Sequence, residues 1–330
     1  MSGTPKLVTI FGGSGFVGRY IARRMAKQGW RVRVAVRRPN EALFVRPYGA
    51  VGQVEPIFSS ISNDASVRAA IMGADAVVNC VGILNETRRQ KFEGIQSEGA
   101  GRIARIAAEQ GVQSLVHISA IGANIDAKSA YSRTKAEGER LVKAAFRSAV
   151  ILRPSIVFGS EDQFFNRFAT LAKFSPVVPL VGADTKFQPV YVDDIAAAAE
   201  QGVLGLAKAG VYELGGPEVA SFADLIAKLM GVIRRKRLIV NIPFFFAAMQ
   251  AWGFDMMQKF SFGMFTNRIL TRDQVKALKI DTVVDPKVKG FKDLGIEPTA
   301  MDAVMEEYLY RHRPYGQYTE LTETAGKIKA

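Results

Sequence analysis

Two groups of residues in this 330-residue chain have types and spacings that could do chemistry. The first is the run Gly12, Gly13, Ser14, Gly15, Phe16, Val17 and Gly18. Such a loop brings backbone N–H groups against a phosphate. Gly12 permits a tight turn, Gly15 a close approach of the ligand, and Gly18 close packing of helix on strand. The second group is Tyr131 and Lys135. Four residues apart at the start of a helical segment, they share one face. The ammonium would lower the phenol pKa towards neutrality and hold a nicotinamide ribose, with the phenol as acid/base.

The elements that must position these residues can be read around them. An apolar run, Leu7 to Phe11, feeds the glycine loop; a helix-period segment follows to Gln28, and Gly29 stops it. Arg31 to Val36 alternates as a second strand, completing a βαβ unit. The helix opening at Phe16 would aim free N–H groups and a partial positive charge at a pyrophosphate. The second strand ends in Arg37 and Arg38, with no acid before Glu41. An acid there would hold a ribose 2′-hydroxyl, whereas arginine accommodates a 2′-phosphate. The expected cofactor is NADPH (NADP) rather than NADH.

The alternation continues. Strands are expected at Val51 to Ser60, Ala76 to Gly82, Ser114 to Ala120 and Val150 to Phe158, with helices at Asp64 to Met72, Phe92 to Glu109 and Tyr131 to Phe146. Six strands with intervening helices predict an α/β fold, a doubly wound parallel sheet of Rossmann type. After Gly159 the pattern loosens into a smaller, partly interleaved C-terminal α/β lobe. The expected division is residues 1–159 for the NADP(H)-binding domain, 160–314 for the lobe and 315–330 for an extended polar tail. Within the lobe, Asp193 or Asp194 is expected to cap one helix and Ser221 another.

Composition bounds the alternatives. The formal charge of +13 favours anionic partners, yet no zinc spacing, aromatic RNA-binding run or sustained basic helix accompanies it, so nucleic acid is not expected. The one cysteine, Cys80, rules out an internal disulfide framework and reads as a small buried hydrophobe near the cofactor. His117 lies in an apolar strand and reads as a satisfied core residue. His312 has no partners at ligand spacing, and no metal site is expected. The first strand begins too early for a signal peptide, and no apolar stretch reaches the roughly 18–20 residues that span a bilayer. The expectation is a soluble or peripheral protein. Arg234, Arg235, Lys236 and Arg237 precede a segment from Phe244 to Phe260 dense in aromatic and apolar residues. That pairing suits either an anionic membrane surface or burial against the lobe or a partner subunit.

On the glycine loop, the Tyr131/Lys135 pair and the strand end Arg153-Pro154, the chain resembles the short-chain dehydrogenase/reductase superfamily, in its extended and atypical branches. The resemblance implies cofactor contacts from Gly12, Gly13, Ser14, Gly15, Phe16, Val17 and Gly18, from Arg37 and Arg38, and from Tyr131 and Lys135. It adds the strand-end residues Ser60, Cys80, Val81, Gly82, Ser119 and Pro154. One departure matters. Active extended members carry Ser or Thr where this chain has Ile121, to hold the substrate carbonyl. Loss of such a donor costs about 2.7–4 kcal/mol of transition-state stabilisation. Cofactor binding would survive that loss, and efficient turnover would not.

A narrower resemblance runs through RPSIVFGSEDQFFNRFA, FQPVYVDDIA, ELGGPEVASFADLI, LTRDQVKALKIDTVV and LGIEPTAMDAVMEEYL. In that order these segments resemble the NADPH-binding Rossmann-type accessory subunits of respiratory complex I (NADH:ubiquinone oxidoreductase). The resemblance implies a tightly held NADPH, the other complex I subunits as partners, and a place near the quinone-access region. With no targeting segment, the expected site is the cytoplasmic side of a bacterial inner membrane, peripheral and against anionic lipid; for a processed organellar form it is the matrix side. The alternative is a free-standing NADP-dependent reductase or epimerase using Tyr131 and Lys135 on a quinone-precursor, steroid-like or nucleotide-sugar substrate.

Overall fold

All five residues of the first strand, Leu7–Phe11 (β1), are buried, as a strand covered by helices on both faces requires. The computed structural model describes residues 5–88, 90–260, 267 and 271–318. After β1 come α1 (Phe16–Lys27), β2 (Arg31–Val36), β3 (Val54–Phe58), α2 (Asp64–Ile71), β4 (Ala76–Asn79), α3 (Gly99–Glu109), β5 (Ser114–Ile118), α4 (Ala130–Ala145) and β6 (Val150–Pro154). The chain continues through β7 (Val157–Phe158), α5 (Phe165–Phe174), β8 (Val177–Val181), β9 (Lys186–Phe187), β10 (Val190–Tyr191), α6 (Val192–Val203) and β11 (Gly210–Leu214). It ends with β12 (Ala220–Ser221), α7 (Phe222–Val232), β13 (Leu238–Ile242), α8 (Phe244–Phe260), α9 (Arg272–Ala277) and α10 (Asp302–Leu309).

The main sheet is parallel throughout and has seven strands in the order β11-β6-β5-β4-β1-β2-β3. The doubly wound architecture is as expected, and the seventh strand corrects the count of six. β11 lies beyond the point where the pattern loosens, yet it joins β6 in register from Gly210↔Val150 to Leu214↔Pro154. One face packs Ile21 and Met25 of α1 and Ile195 and Ala199 of α6 on Val8, Ile10, Val78 and Val116. The other packs Val67, Ile103, Ile106 and Val142 of α2, α3 and α4 on Phe11, Val77, Leu115 and Ile151. The successive faces of one strand thus serve two layers.

Other differences have local causes. The strand expected over 51–60 is confined to Val54–Phe58, because residues 51–53 form a turn with Gly52 at φ +77°. The strand expected to run to Phe158 is interrupted after Pro154, and β7 leaves the main sheet to pair with β10. The helix expected from Phe92 opens with a π-helical turn, Glu93–Glu98, before α3. Neither Asp193 nor Asp194 caps α6, whose N-cap is Tyr191. Asp193 instead takes Arg24 of α1 at 2.7 and 2.9 Å, and Asp194 accepts from the backbone and hydroxyl of Thr299 at 2.7 and 2.9 Å. Ser221 does cap α7, accepting from Asp224 N–H.

The C-terminal elements build a second core from Phe158, Phe165, Val178, Leu225, Ile226, Met305 and Leu309. Asp162 ties this lobe to the loop after β7: it is buried and accepts from Tyr308 Oη at 2.7 Å, Gly159 N–H at 3.2 Å and Asn166 N–H at 3.0 Å. The segment from Phe244 is helical as read. Its small residues Ala247 and Ala251 pack on Val181 and Val275, while Phe245, Phe246, Met249, Trp252 and Met257 are exposed. Among the described residues no helix is long and apolar enough to cross a membrane. The expected tail enters the described residues only as far as Tyr318, in a short 3-10 turn, Gly316–Tyr318; its remainder lies outside them.

The α3–α4 layer depends on one close approach. A Cβ at Gly138 of α4 would fall inside the contact radius of the Gln96 carbonyl oxygen in the π-turn. Gly138→Ala is therefore expected to push the π-turn from α4 and cost about 1–3 kcal/mol, as overpacking does, read as a lower urea midpoint at unchanged slope.

Candidate functional site

Because every strand of the main sheet points the same way, their C-terminal ends open on one edge, and the candidate residues collect there. The reversal of strand order falls between β1 and β4, the place where such sheets form a crevice. Gly12 turns at φ +72°, and a Cβ there would meet the Cys80 carbonyl carbon and Val81 at 3.3 Å. The glycine loop and the end of β4 are thus in contact. At Gly18 a Cβ would lie 2.5 Å from Gly12 O and 2.7 Å from Gly13 Cα, so only glycine lets α1 sit this close to the loop. The N-cap of α1 is Gly15; no side chain caps the helix and its first turn holds no acid. An uncapped helix start of this kind suits an anion. A dinucleotide pyrophosphate fits the cradle.

Arg37 and Arg38 are exposed just past β2. Arg38 pairs with Glu41 at 3.0 Å, and the Gln90 side-chain amide lies against the Arg37 guanidinium. Ser60 follows β3, half-buried, and its N–H donates to Ser66 Oγ at 2.9 Å. Pro154, at the end of β6, is buried and its carbonyl accepts from Ile121 N–H at 3.0 Å.

At the other end of the edge, Lys135 is buried and donates to Ile118 O at 3.1 Å. A Cβ on Gly82 would come within 3.4 Å of its Nζ. Burial pushes the Lys135 ammonium down to about 8, opposed by the nearby Glu139 carboxylate. The Tyr131 phenol moves the other way from the sequence expectation. Burial raises it to about 12, and its ring packs edge-on against Phe92 at 5.9 Å between centroids. The lysine does not bring it towards neutrality. Cys80 is pushed up to about 12 by burial, so its thiol stays protonated.

The decisive detail is Ser119. Its hydroxyl donates to Glu139 Oε1 at 2.6 Å. Glu139 is buried and held by Arg153 through Nε at 2.8 Å and Nη2 at 2.7 Å. Arg153 also reaches Glu213 of β11 at 3.3 Å, and Glu213 accepts from Asp285 N–H at 2.9 Å. With isoleucine at 121 and the Ser119 proton committed to a carboxylate, neither supplies a free hydroxyl for a carbonyl oxygen. Glu139 was missed in the sequence although its signal was present: it lies four residues beyond Lys135 and eight beyond Tyr131, on the same helical face.

Other functional neighbours had weaker signals. Asn79 ends β4, accepting from Val81 N–H at 3.0 Å while its amide meets His117 Nδ1 at 3.2 Å. His117 is buried but only half satisfied, because Nε2 has no hydrogen-bond partner. The π-turn aims Gln96 at the loop after β4. Its Nε2 donates to Ile83 O at 2.7 Å, and its carbonyl accepts from Thr134 Oγ1 at 3.2 Å. Asp273 of α9 accepts from Ser129 Oγ at 2.7 Å, Ala130 N–H at 2.6 Å and Tyr131 N–H at 3.1 Å. Nothing local in the sequence marks that contact, which closes over more than 140 residues.

Comparison with known proteins fits this geometry. Residues 8–201 match the family described as NAD dependent epimerase/dehydratase. The mitochondrial NADH dehydrogenase (ubiquinone) 1 alpha subcomplex subunit 9 of Arabidopsis thaliana is 33% identical over 316 residues, covering 94% of this chain and 79% of that protein. The mitochondrial NADH-ubiquinone oxidoreductase 40 kDa subunit of Neurospora crassa is 30% identical over 315 residues, covering 94% and 80%. Among solved structures, the Escherichia coli NADPH-dependent quinone oxidoreductase complexed with NADPH superposes with a TM-score of 0.69 at 18% identity, covering 92% of this chain and 98% of that one. At that identity the likeness is one of fold.

Two outcomes follow for the buried charges. Arg153→Met leaves Glu139 and Glu213 without their shared cation and is expected to cost about 3–5 kcal/mol, measured by chemical denaturation. Burial with Lys135 nearby depresses His117 from 6.5 to about 3. Between those values the unfolded chain binds a proton that the folded one refuses, so stability is lost as pH falls through that window. His117→Asn is expected to flatten the acid limb of a stability-versus-pH curve by on the order of a few kcal/mol.

Proposed function

Because the chain belongs to the NAD dependent epimerase/dehydratase family, and within it to the branch of the complex I alpha subcomplex subunits, we propose that it is a nucleotide-holding accessory subunit of a respiratory NADH:quinone oxidoreductase. The observation that carries this reading is the Ser119–Glu139 hydrogen bond beside an intact glycine cradle. Binding chemistry is present, and the donor that would polarise a carbonyl is tied up. The nucleotide is NADPH, with the 2′-phosphate at Arg37 and Arg38 and the pyrophosphate at Gly12 to Gly18. The nicotinamide ribose lies by Tyr131, Lys135 and Gly82, along a wall formed by Ser60, Cys80, Val81, Ser119 and Pro154. A bound nicotinamide supplies hydride chemistry in related enzymes; here the residues around it bind and orient, and the nucleotide's role is stability of the fold. A ligand at about 100 to 1,000 times its Kd contributes roughly 2.7–4 kcal/mol.

Residues 160–314 form the docking lobe in this reading, interleaved with the nucleotide domain. Exposed Phe245, Phe246, Met249 and Trp252 stand on α8, close in sequence to Arg235, Lys236 and Arg237. That combination suits anionic headgroups, with the aromatic rings at interface depth, next to the other subunits of the complex. The place is peripheral, on the cytoplasmic face of a bacterial inner membrane, or on the matrix face for an organellar form. A second reading, a free-standing NADP-dependent reductase, is favoured by the preserved Tyr131/Lys135 spacing alone.

Native pull-down with mass spectrometry of the bound nucleotide separates the two. The expected result is co-purification with respiratory complex subunits and NADPH that stays bound without oxidation when carbonyl substrates are added. Arg37→Ala is expected to weaken NADPH about tenfold to a hundredfold, as loss of a charge-assisted contact does, and to leave NADH binding little changed. NADPH oxidation by the isolated protein, abolished in Tyr131→Phe, would establish the reductase instead.

A further inference from the structure

One short element joins the lobe to the Tyr131/Lys135 end of the crevice. α9 places Asp273 on the start of α4, where its two oxygens take the Ser129 hydroxyl and the N–H groups of Ala130 and Tyr131. The next residue, Gln274, donates from Nε2 to Asn85 Oδ1 at 2.8 Å. Asn85 belongs to the loop after β4, in which Gly82 lies beside Lys135. The same loop is held from the opposite side by Gln96, through Ile83 O. On its lobe side, α9 packs Val275 against Ala247 and Ala251 of α8 and Val181 of β8. Two consecutive side chains therefore grip both walls of the Tyr131/Lys135 end, and the third residue seats the element on the lobe.

We infer that α9 is a strap that makes nucleotide retention depend on the seating of the C-terminal lobe, with Asp273 and Gln274 as positioning residues. The inference rests on the nucleotide reading above and adds its regulation. While the strap is seated, the loop after β4 and the start of α4 are fixed relative to each other, and a dinucleotide lying between them has no exit at that end. Release requires the Asp273 and Gln274 contacts to open, which the packing of Val275 under α8 resists. Whatever changes the seating of α8 then changes the nucleotide's residence time; where it changes the equilibrium affinity, a bound nucleotide favours the seated lobe by that same factor.

The test measures NADPH dissociation from the full chain by nucleotide fluorescence after dilution into excess unlabelled NADP. Asp273→Ala and Gln274→Ala are expected to raise the off-rate about tenfold, and Val275→Ala to raise it in the same direction from the lobe side. Asp273→Glu, which keeps the carboxylate, is expected to recover part of the retention. Gln53→Ala removes three hydrogen bonds at the opposite edge of the sheet, with Ala50 N–H at 2.8 Å, Ala26 O at 2.6 Å and Trp30 O at 3.0 Å, and controls for general loss of stability. NADPH bound to the wild type with equal off-rates in all variants, or an equal rise in Gln53→Ala, overturns the strap and leaves the nucleotide reading standing. A wild-type chain that retains no NADPH overturns both.

Discussion

The guanidinium of Arg153 is the cation on which the reacting edge depends. It stands near the end of β6, next to the edge strand β11, and is shared between Glu139 of α4 and Glu213 of β11, both buried. A carboxylate out of water is tolerated only when its charge and its lone pairs are met. Here they are met by Arg153, by the Ser119 hydroxyl and by the Asp285 N–H. Removing any one member would leave a buried charge short of partners, so the arrangement locks sheet edge, helix and C-terminal segment together. It also sets the chemistry. The Ser119 hydroxyl is part of the lock, its proton donated to Glu139.

Two features of the same sheet edge rest on different physics. The glycine cradle is dictated by sterics: a side chain at Gly18 would displace α1 from its loop. The Tyr131 and Lys135 side chains share a helical face, yet each is perturbed by burial in the direction that disfavours its charge. A phenol pushed upward, with no lowering by its lysine neighbour, is a hydrogen-bond donor rather than a ready acid.

The lobe is joined to the nucleotide domain by polar contacts of the same kind, each a buried or half-buried carboxylate facing backbone N–H groups. Asp162 meets Tyr308 and the loop after β7, Asp194 meets Thr299, and Asp273 meets the start of α4. Such contacts specify orientation strongly, since a misdocked lobe would leave several carboxylates unpaired. Apolar packing around Phe158, Phe165 and Leu309 supplies the bulk of the burial.

Local pattern alone was enough for the βαβ opening, the parallel sheet, the Tyr131/Lys135 face and the helix from Phe244, because each rests on short-range periodicity or on glycine sterics that neighbouring residues reveal. The absence of a hydroxyl at Ile121 is read from the family resemblance, not from local pattern. What it could not reach were contacts closed over long stretches of chain. The sheet's seventh strand comes from Gly210–Leu214; Asp193 and Asp194, legible as helix caps, are drawn instead to Arg24 and Thr299. The fate of the Ser119 hydroxyl, the burial that moves Tyr131 and Lys135, and the Asp273 grip on α4 are likewise tertiary. Hydrogen-bond partners and desolvation are properties of the packed chain, and no spacing along the sequence encodes which distant acceptor is nearest once the layers close.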